Sequence, residues 1–260
     1  MGLKFTFLGS GTSQGVPLLG KKYPPEYLAN PKNHRTRSSI YVQSDTTNIL
    51  VDTTPEMRIQ CLREGVERVD AVVITHAHAD HIMGMDDCRR WCDILGGPLP
   101  VYASPATMEL IKHIFFYAFT PVGPIPRGYF HPDARMFTSK IEIGDISITP
   151  LPVPHGRMTT YGLLFEYQGK DRFAYISDAK TVPDEIIQNL KGIGVVVLDA
   201  LRPQEHPTHM SLSEALEVRA RIGAGTTYFT HLTEYYDHDK DQANLPPDVF
   251  FAWDGLKVEF

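Results

Sequence analysis

Thr75-His76-Ala77-His78-Ala79-Asp80-His81 follows directly on the apolar run Ala71-Val72-Val73-Ile74, and its reading decides the fold. Three imidazoles and one carboxylate crowd into six residues. Protonated, the rings repel one another; buried and neutral, each ring nitrogen needs a partner. A divalent transition metal removes both costs, because imidazole and carboxylate are among its natural ligands. A turn at a strand end fans such residues outward, so that His76 and His78 point to one centre and Asp80 and His81 to another.

His155 ends the strand-like Ile148–Pro154 and precedes Gly156, Asp178 follows Phe173–Ile176 in Tyr-Ile-Ser-Asp-Ala, and His231 closes Thr226–Thr230 in Phe-Thr-His-Leu. Apolar, β-branched and aromatic runs closed by Gly, Pro, Asp or Asn predict strands at Leu3–Leu8, Ser39–Gln43, Asn48–Val51, Ala71–Ile74, Val101–Ala103 and Ile141–Ile143. Further strands are expected at Ser147–Leu151, Gly162–Tyr167, Arg172–Ile176, Val195–Leu198 and Thr226–Thr230. Helices are expected at Pro55–Glu64, Ser104–Phe119, Pro183–Asn189 and Ser211–Ile222; Ser211-x-x-Glu214 has capping-box spacing. This order suits two sheets packed face to face and covered by helices, an α/β (α+β) four-layer αββα sandwich. Spacing alone does not choose it over other α/β folds.

The 260 residues suit one domain spanning 1–260. Hydrophobic residues make up 42% and charged residues 22%, which excludes disorder, collagen and coiled coil. A net charge of −6 weighs against a protein that works mainly by gripping nucleic acid. Cys61, Cys88 and Cys92 form no disulfide framework and no Cys-x-x-Cys pair, so they read as buried apolar residues of a reduced, cytoplasmic protein. No run approaches the ~18–20 apolar residues needed to span a bilayer. Two long proline-rich connections, Val16–Ser38 and Phe119–Ser139, are candidates for function.

His-x-His-x-Asp-His after an apolar strand, with His155, Asp178 and His231 downstream in order, resembles the metallo-β-lactamase fold family over essentially the whole chain. The resemblance implies two divalent ions, one on His76, His78 and His155 and one on Asp80, His81 and His231, with Asp178 bridging. Zinc or manganese is the implied metal, with iron also compatible. Metal-activated hydroxide would be the nucleophile, and Asp52 would orient the site from behind the ligands.

Phe7-Leu8-Gly9-Ser10-Gly11-Thr12-Ser13-Gln14-Gly15-Val16-Pro17, with Arg37-Ser38-Ser39, is similar to the phosphodiesterase branch that holds tRNase Z and the PhnP-type enzymes. His209, beside a helix start in His206-Pro-Thr-His209, matches the branch's phosphate-contacting, leaving-group-protonating histidine; Asp80 and His209 are the implied catalytic residues. Amides of the glycine-rich turn could meet an anion. The expected activity is hydrolysis of a small or cyclic phosphodiester. Alternatives are tRNA 3′-end processing, a lactone or thioester hydrolase on the same metals, and a non-catalytic metabolite-binding module. Residues 20–34 lack the cysteines that hold a structural zinc in PhnP-type proteins, so Tyr23, Tyr27 and the prolines are expected to order that loop. The chain also lacks the glycine- and lysine-rich arm with which tRNase Z grips tRNA, which with the acidic balance disfavours a large nucleic acid. The aromatic insertion His113–His131 offers a pocket wall, a lid or a homodimer face. Within it Phe115, Phe116 and Phe119 read as core, and Arg127 as solvated.

Overall fold

The computed structural model describes residues 2–119 and 126–260, so Pro121 and Pro124 of the aromatic insertion lie outside the described residues. The first part of the chain forms strands β1 (Lys4–Gly9), β2 (Ser39–Gln43), β3 (Asn48–Val51), β4 (Ala71–Val73), β5 (Leu99–Ala103) and β6 (Pro132–Met136). The second forms β7 (Ile141–Ile143), β8 (Ile146–His155), β9 (Met158–Tyr167), β10 (Asp171–Ile176), β11 (Val195–Asp199), β12 (Thr226–Thr230) and β13 (Val249–Phe251). Strand β14 (Lys257–Glu259) then returns to the first sheet, giving the orders β14-β1-β2-β3-β4-β5-β6 and β13-β12-β11-β10-β9-β8-β7.

Both sheets follow one plan. From β14 to β3, and from β7 to β10, neighbours run antiparallel; from β3 to β6, and from β10 to β13, they run parallel. Alternation along the strands then sorts side chains into three apolar clusters. Phe5, Phe7, Ile49, Val51 and Val73 meet Ile148, Phe165, Phe173, Tyr175 and Val197 between the sheets. Leu8, Leu50, Val72 and Val101 face outward against helical residues such as Met57, Trp91 and Met108, while Leu164, Ala174, Val196 and Phe229 face Ile187, Ala215 and Val218. Helix, sheet, sheet, helix is the αββα sandwich.

The differences from the expected elements have local causes. Strand β8 runs to His155, well beyond Leu151, its second half hidden in the sequence by Pro150, Pro152 and Pro154 at every second position. Strand β7 pairs with β8 only over Ile146–Ile148, so past that point one edge of β8 has no strand partner, and prolines lacking N–H groups fit there. Strands β13 and β14 are three residues each, too short to show a period. The helix expected over Ser104–Phe119 is broken at Phe115 into Pro105–Ile114 and Phe116–Phe119. That break turns Phe116 out to solvent at 65% exposure, whereas Phe115 is buried, so Phe116 is not a core residue.

The Cys-free loop is ordered by packing, as expected. The Tyr23 and Tyr27 rings stack at 5.0 Å, the Leu18 amide donates to the Tyr23 hydroxyl (2.9 Å), and a short helix forms over Pro25–Ala29. Among the described residues no helix is long and apolar enough to cross a membrane.

Candidate metal centre

The parallel strands deliver their C-terminal ends to one rim. Asp52 follows β3, the His76–His81 turn follows β4, Asp178 follows β10, Asp199 ends β11 and His231 follows β12; His155, ending β8, joins them. Open α/β sheets bind ligands at such carboxyl ends. Asp52 and His231 hold positive φ angles of 61° and 60° without being glycine, a local strain that turns each side chain into the site.

Asp52 fixes two of the rings. Its oxygens accept from the Thr75 amide (2.8 Å) and hydroxyl (2.9 Å), and His81 Nδ1 lies 2.7 Å from Oδ2. His76 Nδ1 lies 3.1 Å from the Thr75 hydroxyl. Donation from both Nδ1 atoms leaves the Nε2 lone pairs facing the centre, the tautomer a metal needs. His155 Nδ1 donates to the Thr208 carbonyl (2.9 Å), with the same consequence.

His76, His78 and His155 each offer a ligand atom within 4.8 Å of the others, and so do Asp80, His81, Asp178 and His231. Asp178 also groups with His155, so it reaches both sets. His81 Nε2 lies 3.3 Å from Asp80 Oδ2 and 3.3 Å from Asp178 Oδ1, and His231 Nε2 lies 3.2 Å from Asp178 Oδ2. Yet both Asp178 oxygens, His81 Nε2 and His231 Nε2 are buried without a hydrogen-bond partner. Buried polar atoms are ordinarily satisfied. Four orphans aimed at one point fit divalent ions, and all seven residues expected as ligands are brought together.

His209 stands beside them, its ring 4.5 Å from that of His155 and 4.7 Å from that of His231. The sequence reading missed what holds it. Asp199 Oδ2, fully buried, lies 2.7 Å from His209 Nδ1 and accepts the Ala179 amide at 3.0 Å. The position at the end of an apolar strand was the available signal, the same one that marked Asp178. Of the remaining histidines, His206 adjoins His209, whereas His34 bonds the Leu28 carbonyl and His238 packs on Trp253.

Most amides of the glycine-rich turn serve packing within the protein. The amides of Ser10, Gly11, Thr12, Gly15 and Val16 are committed to Asp254, Thr36, Leu232, Thr12 and Arg35. A Cβ at Gly9 would sit 1.9 Å from the Arg37 carbonyl oxygen, and one at Gly11 2.7 Å from that of Arg35. These glycines are there for close backbone packing. Asp254 anchors the arrangement by accepting from the Ser10 and Thr36 amides and hydroxyls, and Ser10 in turn accepts the Leu232 amide beside His231.

Electrostatics place protons where ions would go. Burial opposes charge on His81, but Asp178, Asp80 and Asp52 outweigh it and raise its pKa well above the usual value. Burial likewise opposes charge on His231, which Asp178, Asp80 and Asp199 raise to about 9. A raised folded-state pKa stabilises the fold fully below the ordinary 6.5, and the gain is lost as pH climbs through about 9. The metal-free protein is therefore expected to lose thermal stability from pH 6.5 to 9, and metal addition near neutral pH to release protons. Melting curves of chelator-treated protein and titration calorimetry in two buffers test this. A flat melting temperature with no proton release would show that the two rings are not charged.

The chain matches the β-lactamase superfamily domain over residues 47–232, a span that holds Asp52, all seven clustered residues and His209. The chain belongs to this superfamily. A crystal structure of a diphosphatase from the PhnP family superposes on this metallo-β-lactamase fold with a TM-score of 0.90 and 37% identity, covering 99% of this chain and 98% of that one. An octanoyltransferase of Porphyromonas gingivalis is 30% identical over 98% of this chain, which spans 51% of that protein's length. Ribonuclease Z of Methanopyrus kandleri is 25% identical over 88% of this chain and 94% of its own length. The resemblance to the PhnP-type and tRNase Z branch is borne out, and the fold implies bound divalent ions.

Proposed function

We propose that the chain is a metal-dependent hydrolase of small or cyclic phosphodiesters. The observation that carries this reading is a buried carboxylate–imidazole pair, Asp199–His209, set against a cluster of unsatisfied ligand atoms. His76, His78 and His155 would hold one ion, Asp80, His81 and His231 the other, and Asp178 both. Imidazole and carboxylate suit zinc or manganese, with iron compatible. Such ions supply a nucleophilic water at neutral pH and neutralise phosphoryl charge. The chain's own residues do the rest. Asp52 and Thr75 keep His81 and His76 in the ligating tautomer, and Thr208 does so for His155. Asp80, its oxygen 3.6 Å from His231 Nε2, would help hold an ion and orient the attacking water. His209, oriented by Asp199, hands a proton to the departing oxygen.

The diphosphatase likeness makes a pyrophosphate linkage one candidate among such substrates. The octanoyltransferase name invites an acyl-transfer reading, but a covalent route needs an activated nucleophile. Cys61, Cys88 and Cys92 are all buried, and burial raises the pKa of each thiol, Cys61 to about 12. Unpaired thiols also support a cytoplasmic setting. The ribonuclease Z relatives favour RNA as a second reading, against which the −6 charge weighs.

Metal analysis joined to a substrate panel tests the proposal. The panel holds bis(p-nitrophenyl) phosphate, a cyclic ribose phosphate, precursor tRNA, a lactone and an octanoyl thioester. Turnover of the small phosphodiesters with ions bound is the expected result. Activity confined to the lactone or thioester would overturn it, and activity confined to precursor tRNA would install the second reading.

A further inference from the structure

The imidazoles of the 206–209 segment form a stair from the metal centre to solvent. His231 and His155 are 1% and 4% exposed and His209 is 8% exposed, whereas His206 is half-buried with its ring 5.2 Å from that of His209. His206 is thus the next imidazole outward from His209. The segment is built to hold that ring still. The Thr208 amide and hydroxyl lie 3.4 and 3.2 Å from His206 Nδ1, so that nitrogen accepts and Nε2 keeps the proton. Arg202 donates to the carbonyls of Gln204 (3.4 Å) and Glu205 (2.7 Å), which folds residues 202–206 back on themselves. Lys180 is paired with Glu214 at 2.5 Å and reaches the His209 carbonyl at 3.5 Å, bracing the same segment from the other side.

From this placement we infer that His206 is a specificity residue. Its Nε2–H contacts an anionic group, a second phosphate, carried by the part of the substrate that departs past His209. The inference rests on the phosphodiester reading and narrows it to substrates joined through P–O–P. In that reaction the oxygen of water bonds to one phosphorus and the bridging P–O bond breaks. The bridging oxygen leaves on the second phosphate with the proton from His209. The surroundings of His206 suit such a group. Burial first, then His209, Arg202 and Lys180, lower the ring's pKa to about 4, so it is a neutral donor at physiological pH. Of these neighbours, Arg202 and Lys180 are cationic and favour an incoming anion, while Glu205 faces the Arg202 fork through its backbone and Glu214 is occupied by Lys180.

The test compares two substrates on metal-loaded protein. Diadenosine pyrophosphate has a phosphate on its leaving group, and bis(p-nitrophenyl) phosphate does not. His206→Ala is expected to lower kcat/KM on the pyrophosphate by about 10- to 100-fold, the range of a hydrogen bond to a charged group. The loss should fall mainly on KM. His206→Gln, which keeps an N–H donor, should recover part of it. Both variants should keep full metal content and wild-type turnover of bis(p-nitrophenyl) phosphate. Equal losses on the two substrates, or none on the pyrophosphate, would overturn the inference. Wild-type protein that cleaves the p-nitrophenyl ester but not the pyrophosphate would overturn it too, leaving the phosphodiester reading intact. Loaded protein inactive on both would remove that reading itself.

Discussion

Asp178→Asn is expected to yield a folded protein that neither retains its divalent ions on dialysis nor turns over phosphodiesters. The carboxylate is 3% exposed, and each of its oxygens faces a different imidazole, Oδ1 that of His81 and Oδ2 that of His231. Asparagine has nearly the same shape, so the sandwich should form. It carries no charge, however, and it replaces one acceptor with an NH₂ group that cannot ligate. Substituting residues that merely support a metal ligand costs about 10- to 100-fold in affinity. Loss of a carboxylate within reach of both ligand sets should therefore exceed about 100-fold. The effect should appear as stoichiometry per chain in elemental analysis, beside circular dichroism showing unchanged secondary structure. Two ions per chain and wild-type turnover in Asp178→Asn would show that Asp178 is not a metal ligand. The metal-free variant should also lose the stabilisation that Asp178 gives protonated His81 and His231, so its melting temperature near neutral pH should fall below that of chelator-treated wild type.

All seven clustered residues could be found in the sequence because together they match the metallo-β-lactamase pattern and follow runs that read as strands. Their type is conspicuous, and the strand ends share one rim. Their supports could not be found that way. Asp199 is a plain Asp after Val-Val-Val-Leu until His209 is seen 2.7 Å away. Thr208 acts through its carbonyl, which no side-chain motif reports. Asp254 pins Ser10 across 244 residues, and such long-range pairing leaves no local trace. The glycine-rich turn could be read from sequence in two ways. Glycine serves both anion approach and close backbone packing, and only the Cβ clashes at Gly9 and Gly11 distinguish the two. Apolar or β-branched runs as short as those of β4 and β7 were legible as strands, whereas β6, which opens on Pro132 and carries Asp133 and Arg135, was not. Prolines on an open edge obscured the second half of β8, and β13 and β14 were also missed.

The second large effect concerns the proton. His209→Ala should leave both ions in place, since the seven residues proposed to hold them are untouched, and should depress turnover according to the leaving group. A positioned general acid contributes about 10²- to 10⁴-fold, and that whole factor should be lost on alkyl phosphodiesters, whose departing alkoxide needs a proton. A p-nitrophenyl ester leaves as a stabilised anion and should suffer several-fold at most. In the metal-free chain, burial and the neighbouring His231 hold the His209 ring down to about 3. A phosphate arriving beside it acts the other way, as an anion favours the charged form of any imidazole it touches. Asp199 makes that change affordable by accepting from Nδ1, leaving Nε2 as the atom that carries the proton to the substrate. Asp199→Asn should accordingly share the leaving-group signature of His209→Ala, with metal content unchanged. Combining the two should add little, because residues acting as one unit are not additive. Equal losses on alkyl and p-nitrophenyl substrates would strip His209 of the acid role. A double variant showing the product of the two single losses would uncouple Asp199 from it.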